Sequence, residues 1–281
     1  MSIDLFPGPT WFVGCGNMAG AMVEGWRSAG VELSQTVAIR PSGTPVEGVR
    51  TVQSVAEAGR PPKIVILGFK PQKLDEIAPA LAPRLSAQTV VISILAGVEA
   101  QSLRSRFPGA AAIVRAMPNL PVAVRRGVIG LHSDDADDLL RQQLRQLFSV
   151  LGMVAWTATE AELAAIGSVA GAGPAYVARF IAALAKAGVR RGLDPDISAT
   201  VALETVLGTG WMAAASGQSM DAIAKRVASP NGTTEAGLAM LDRDGVLDAL
   251  IGVAIEAAAR RGAELAADAR GDNVAAEPTL H

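Results

Sequence analysis

The chain has 281 residues, enough for one large domain or two of ordinary size. Half of them are hydrophobic but only 4% are aromatic, so the core must come from Ala, Val, Leu, Ile and Gly, which suits close-packed helices and buried parallel strands. With 25 basic against 27 acidic side chains the formal charge is -2, which offers no basic field for nucleic acid, and a single cysteine, Cys15, excludes an intrachain disulfide.

The N-terminal stretch MSIDLFPGPTWFVG lacks a basic segment followed by an apolar run, so no signal peptide is expected and a cytoplasmic location fits. TWFVG at 10–14 reads as a strand, and residues 17–29 have helical periodicity. TVAIR (36–40), KIVILGF (63–69), QTVVISIL (88–95) and AAIVRAM (111–117) read as further strands with helical stretches between them. Short apolar runs separated by helices predict a parallel sheet buried on both faces. GVIGL (127–131) and MVAWT (153–157) are expected to extend it near its edge.

After about Thr157 the pattern becomes Ala-rich and helical, with no strand evident. Helices are expected over 160–191, interrupted at 171–174, and over 198–215, 221–227, 233–242 and 246–267. The polar tail 268–281 is expected to be disordered. The uncharged runs 163–178 and 205–220 contain Gly and fall short of the ~18 apolar residues that a membrane span needs. They are read as buried core helices, and no membrane partner is expected. These helices are apolar on more than one face, which demands burial all round. Too few residues follow Thr157 to supply it, which predicts a homo-oligomer, at least a dimer, through the C-terminal helices. A compact monomeric bundle is the alternative.

Between the first strand and first helix, WFVGCGNMAGA sets Gly14, Gly16 and Ala19 in a G-x-G-x-x-A pattern. The first glycine permits a tight turn, the second lets backbone approach a diphosphate, and the small third residue lets helix pack on strand. Phosphate would then lie at the helix N-terminus, against Asn17 and Met18. The second strand ends in Arg40, followed by Pro41 and Ser42, where an NAD site carries an acid. A guanidinium beside a hydroxyl suits a 2′-phosphate, so NADPH is the expected cofactor, with NADH possible. Cys15, between the glycines, has no base near it in sequence and is read as a small spacer. The fold class is therefore α/β: a Rossmann-like dinucleotide-binding domain over 1–157, followed by an all-α C-terminal dimerisation and substrate domain over 158–267.

The chain's two histidines, His132 and His281, make no convincing acid–base pair, and no Cys/His cluster offers a metal site. Six motifs then occur in order: GCGNMAGA, FKPQ, SILAGV, RAMPNLP, AGAGPAYV and VASPNGTTEAGL. Together, from Trp11 to about Arg261, they resemble the pyrroline-5-carboxylate reductase family, the last enzyme of proline synthesis. The resemblance implies NADPH across the carboxyl edge of the sheet, with Lys70, Pro71, Ala96, Gly97 and Asn119 near its ribose and nicotinamide. It implies a small cyclic imine bearing a carboxylate as substrate.

SPNGTT (229–234) would hold that carboxylate. Ser229, Thr233 and Thr234 offer hydroxyls, and the Gly232–Thr234 amides sit at a helix start. The resemblance makes Thr234 the hydroxyl nearest the imine nitrogen. An ordinary helix cap followed by Glu235 is the other reading of this stretch, and the two are compatible. The chain departs from the family at Leu120 for Thr, Ala170 and Ala172 for two serines, and Asn231 for Gly. Two alternatives stay open: a reductase of another cyclic imino acid, and a non-catalytic NADPH-binding protein.

Overall fold

The structure, a computed structural model, describes residues 3–270. Eight strands form one sheet: β1 (Thr10–Val13), β2 (Thr36–Ile39), β3 (Arg50–Val52), β4 (Ile64–Leu67), β5 (Val90–Ser93), β6 (Ala112–Pro118), β7 (Gly127–His132) and β8 (Gly152–Trp156). Their order across the sheet is β3-β2-β1-β4-β5-β6-β7-β8. Four helices go with it: α1 (Asn17–Ser28), α2 (Leu74–Leu81), α3 (Ala100–Arg106) and α4 (Asp138–Ser149).

The apolar strands bury both faces because successive side chains alternate. Phe12, Ile64, Ile66, Ile92 and Val114 pack with Met22 and Trp26 of α1 on one face. Trp11, Val13, Val65, Leu67 and Val91 pack with Leu74 and Leu81 of α2 and Leu103 of α3 on the other. Trp26 anchors the first cluster. Its Nε1 donates to the Leu147 carbonyl at 2.8 Å, and its ring meets Phe6 edge-on with centroids 5.2 Å apart.

Two features depart from expectation. β3 is a three-residue strand with one buried side chain, too short to show a period. The sheet is also not wholly parallel, since β7 runs antiparallel to β6, and β8 follows β7 in parallel. The connection 119–126 from β6 to β7 is shorter than the ~12 residues that a parallel crossover needs, and it is filled by a 3₁₀ turn, Leu120–Val124.

Among the described residues, one compact unit comprises those up to 172 and from 258 on; the other is Gly173–Ala257. Helix α5 (Glu160–Ile166), expected in the helical half, packs with the sheet. Gly130 of β7 makes room for it, because a Cβ there would fall 2.7 Å from Leu163 Cδ1. Buried Arg115 on β6 lies 3.3 Å from Glu160 Oε1, which also accepts the Ala100 N–H at 2.7 Å. One carboxylate thus ties β6, α3 and α5 together.

The second unit contains α6 (Gly173–Arg190), α7 (Pro195–Ser216), α8 (Met220–Val227), α9 (Thr233–Leu241) and the start of α10 (Val246–Arg270). Asp194 caps α7 by accepting the Asp196 N–H at 2.9 Å and the Ile197 N–H at 3.2 Å, with Pro195 opening the helix. Ser198 Oγ donates to the Ala185 carbonyl at 2.7 Å, joining α6 to α7. The expectation that 163–178 and 205–220 are buried core helices is not met within this chain. No residue of α6 is buried, Phe180 is 51% exposed and Leu207 46%. The expected shortfall for a membrane span is also corrected, since Glu160–Arg190 is a 31-residue helical run long and apolar enough by composition. Residues 268–270, expected in the disordered tail, continue α10, and the rest of that tail lies outside the described residues.

Candidate functional site

The carboxyl ends of β1, β2, β4 and β5 share one edge, because Thr10 pairs with Thr36 and Ile64, and Ile64 with Val90. Open α/β sheets bind ligands at this edge. Gly14 leaves β1 with φ 77°, a left-handed turn that disfavours any side chain. Gly16 is the N-cap of α1, with no side-chain cap and no acid in the first turn. A Cβ at Gly16 would meet nothing within 4 Å, so the space before the helix is open to a ligand. The first helical bond here is Gly20 N–H to Gly16 O at 2.8 Å, which leaves the amides of Asn17, Met18 and Ala19 ahead of the ladder. Ala19 is buried and close to Gly68, where an added Cβ would be 3.0 Å from the alanine Cβ. The three small positions thus do three different jobs.

A groove of ≈ 600 Å³ opens beside this loop, lined by Gly16, Asn17, Gly20, Arg27, Arg40 and Glu47 among others. Arg40 follows β2 and donates from Nη1 to the Thr44 carbonyl at 2.9 Å. Gly43, at φ 67°, closes the turn with its N–H on the Arg40 carbonyl at 2.9 Å. Ser42 Oγ lies 2.9 Å from Thr44 Oγ1. The Thr44 hydroxyl was not singled out from sequence, although it lies two residues beyond Ser42 in the same turn. No carboxylate pairs with Arg40 among the described residues. Burial pushes the Cys15 thiol up, against the opposing charge of Arg40, so Cys15 is a poor nucleophile and fits a spacer.

Lys70 is exposed after β4, and Pro71 begins a 3₁₀ turn. Ala96 and Gly97 follow β5. Gly97 has φ 75°, and a Cβ there would be 2.8 Å from the Ala266 nitrogen, so α10 covers this turn with backbone. Sequence patterning gave no signal for that contact. Asn119 is buried, its Nδ2 donates to the Ala170 carbonyl at 2.9 Å, and its Oδ1 accepts the Val128 N–H at 2.8 Å. The resemblance places Asn119 near the ribose and nicotinamide; in the structure one of its amide N–H groups and its amide oxygen hold backbone.

SPNGTT lies in the second unit. Asn231 has φ 58°, the left-handed region where a family glycine would sit freely and Asn is among the best tolerated replacements. The Gly232 N–H donates to the Ser229 carbonyl at 2.9 Å. That amide was expected to face the substrate, and it closes the turn instead. The N-cap of α9 is Gly232, which has no side-chain cap; Glu235 Oε2 instead accepts the N–H of the preceding Asn231 at 2.6 Å and places a carboxylate at the same helix start. The amides of Thr233 and Thr234 lie ahead of the first helical bond, Ala236 N–H to Gly232 O at 3.2 Å. Ser229 and Thr233 are exposed and Thr234 is half-buried. His132 is buried, with Nδ1 3.3 Å from the Thr157 carbonyl, a structural position. No metal-binding group of His, Cys, Asp and Glu comes together among the described residues.

Residues 11–97 match a family model described as NADP oxidoreductase, coenzyme F420-dependent. Residues 160–265 match one described as pyrroline-5-carboxylate reductase dimerisation, which supports homo-oligomerisation. A pyrroline-5-carboxylate reductase of Pseudomonas aeruginosa is 36% identical over 91% of this chain and 96% of its own length. Pyrroline-5-carboxylate reductase 2 of Bacillus subtilis is 33% identical over 90% and 94%. Among solved structures, a pyrroline-5-carboxylate reductase from Coxiella burnetii superposes with TM-score 0.84 at 30% identity, covering 92% of this chain and 98% of that one. The Plasmodium falciparum pyrroline carboxylate reductase, with NADP bound, gives 0.82 at 25% identity, covering 92% and 98%. From the glycine loop to the dimerisation helices, the chain belongs to the pyrroline-5-carboxylate reductase family.

Proposed function

We propose that this chain reduces 1-pyrroline-5-carboxylate to L-proline with NADPH, as a cytoplasmic homodimer or larger oligomer joined through its C-terminal helices. The observation that carries the reading is the open, uncapped glycine loop beside Arg40, which pairs with no carboxylate among the described residues, in a chain of this family. Residues 1–157 would serve the cofactor, and residues 158–267 the substrate and the partner subunit.

The cofactor, when bound, supplies the hydride that turns the C=N bond into an amine. The chain's residues hold and orient. Gly14, Gly16 and Ala19 shape the loop, and the Asn17, Met18 and Ala19 amides receive the diphosphate. Arg40 and Ser42 receive the 2′-phosphate, with Thr44 behind them. Lys70, Pro71, Ala96 and Gly97 border the ribose and nicotinamide end.

Ser229, Thr233 and Thr234 hold the substrate carboxylate through neutral donors, with Gly232 keeping the turn. Neutral donors place no cation beside an iminium whose charge the hydride removes. The proton on nitrogen arrives with the substrate, so no strong acid is required, and Thr234 is the hydroxyl that steadies the nitrogen. Most of the rate then comes from positioning.

The test is loss of NADPH absorbance with purified protein and 1-pyrroline-5-carboxylate, with NADH and a six-membered cyclic imino acid in parallel. Turnover of the five-membered imine with NADPH is expected. Turnover of the six-membered imine alone would change the substrate, and tight NADPH binding with no turnover would favour a non-catalytic role.

A further inference from the structure

Between α5 and α6 the chain makes a π-turn, Gly167–Gly171. A π-turn carries one residue more than an α-helical turn, and its carbonyls leave the regular ladder. Asn119 holds this one. Its Nδ2 donates to the Ala170 carbonyl at 2.9 Å, while its Oδ1 accepts the Val128 N–H of β7 at 2.8 Å. The residue is 6% exposed, so water does not compete freely for either bond. Its backbone is equally engaged, with its N–H on the Val128 carbonyl at 3.2 Å and its carbonyl accepting the Val122 N–H at 3.1 Å.

The same residue reaches α1 by a second route. It is the N-cap of the Leu120–Val124 turn. That turn lies directly on α1, since a Cβ at Gly25 would fall 2.2 Å from the Val122 carbonyl oxygen. Asn119 therefore joins three things in one unit: the helix whose N-terminus faces the cofactor groove, the antiparallel strand β7, and the π-turn that leads into α6.

We propose that Asn119 is a positioning residue of the reaction, acting through the Ala170 carbonyl on the π-turn and not by contact with the cofactor. This deepens the reading of the chain as an NADPH-dependent imine reductase and rests on it. An Asn amide has two N–H groups and one oxygen, and here one N–H and the oxygen are already bonded. Its loss would leave the Ala170 carbonyl and the Val128 N–H without side-chain partners, and the π-turn without its tether.

Asn119→Asp separates the roles. The aspartate keeps an acceptor for the Val128 N–H but sets a carboxylate oxygen against the Ala170 carbonyl. Hydrogen exchange of the 167–173 amides should quicken by about tenfold, the scale of one lost hydrogen bond. Exchange in α1 and the dissociation constant for NADPH, read by its fluorescence, should stay within about twofold. On the imine, kcat should fall by about tenfold or more. Asn119→Ser, smaller and uncharged, must show the same split if the aspartate variant does not fold. Unchanged exchange at 167–173 in a folded variant overturns the proposal. So does weaker NADPH binding with unchanged exchange, which would make Asn119 a cofactor contact. Should the wild-type protein reduce no imine, the functional reading falls, while exchange and NADPH binding still decide whether Asn119 sets the turn.

Discussion

A Cβ on Gly14 would stand 2.9 Å from the Gly68 carbonyl oxygen, so the turns that follow β1 and β4 meet through backbone alone. Gly14 also has φ 77°. Gly14→Ala must therefore strain the backbone by ~1–3 kcal/mol and push against the 68–69 peptide as well. A fall in Tm of several degrees with loss of NADPH binding is expected. Gly16→Ala differs in kind, since its Cβ enters open space. Its Tm should hold while the KM for NADPH rises, because the methyl occupies room that the diphosphate needs. Thermal melts and cofactor titrations on the two variants check this pair.

Arg40 is bonded to the Thr44 carbonyl and to no carboxylate among the described residues. A 2′-phosphate would give it a charge-assisted partner worth ~1.5–3 kcal/mol, or roughly a 10- to 100-fold effect on affinity. Arg40→Ala should raise the KM for NADPH by that factor and leave NADH nearly unchanged. Parallel KM measurements with one imine decide it. An equal loss for both cofactors would remove Arg40 from the discrimination.

Seven of the eight strands were legible because each is a short apolar run with turn residues after it, as in KIVILGF; β3, with one buried side chain in three, was not. The glycine loop was legible because its three small residues fall at fixed spacing between strand and helix. The direction of β7 was hidden, since GVIGL reads the same whichever way it runs; only the short connection 119–126 decides it. The role of Asn119 was hidden for another reason. Its partners, Val128 and Ala170, lie 9 and 51 residues away, and both offer backbone groups. Backbone partners leave no mark on residue type. Nor did SPNGTT reveal that Glu235 and Ser229 take two of its amides, because that depends on the left-handed turn at Asn231.

That turn makes Asn231 a test of the candidate substrate loop. Asn231→Gly should keep both the loop and the activity, with stability changed by ~1 kcal/mol or less, since glycine adopts φ 58° without strain but frees the unfolded chain. Asn231→Val should lose the left-handed turn at a cost of ~1–2 kcal/mol, and raise the KM for the imine. Thr234→Ala leaves the turn alone, because its side chain bonds nothing that closes it. It should lower kcat by about tenfold, the value of one hydroxyl hydrogen bond, with NADPH binding unchanged. Steady-state kinetics on the three variants separate shape from chemistry, and full kcat in Thr234→Ala would remove that residue from the reaction.

The helices of the second unit present more apolar surface than one copy covers. Tyr176, Val177, Phe180, Val206, Leu247 and Ile251 line an open apolar groove of ≈ 650 Å³, and Leu250, also on α10, is 66% exposed. Phe180→Glu would place a carboxylate where a second copy's apolar side chains would otherwise exclude water. An unpaired charge buried in such an interface costs at least several kcal/mol, so light scattering at micromolar protein should show the variant shifted to monomer. Met153→Glu is the control, because Met153 is 59% exposed on the edge strand β8 of the other unit. It introduces the same charge and should leave the oligomer intact. If Phe180→Glu kept the wild-type mass, this groove would not be where the copies meet, and the interface would have to be sought on the faces of α7 and α9.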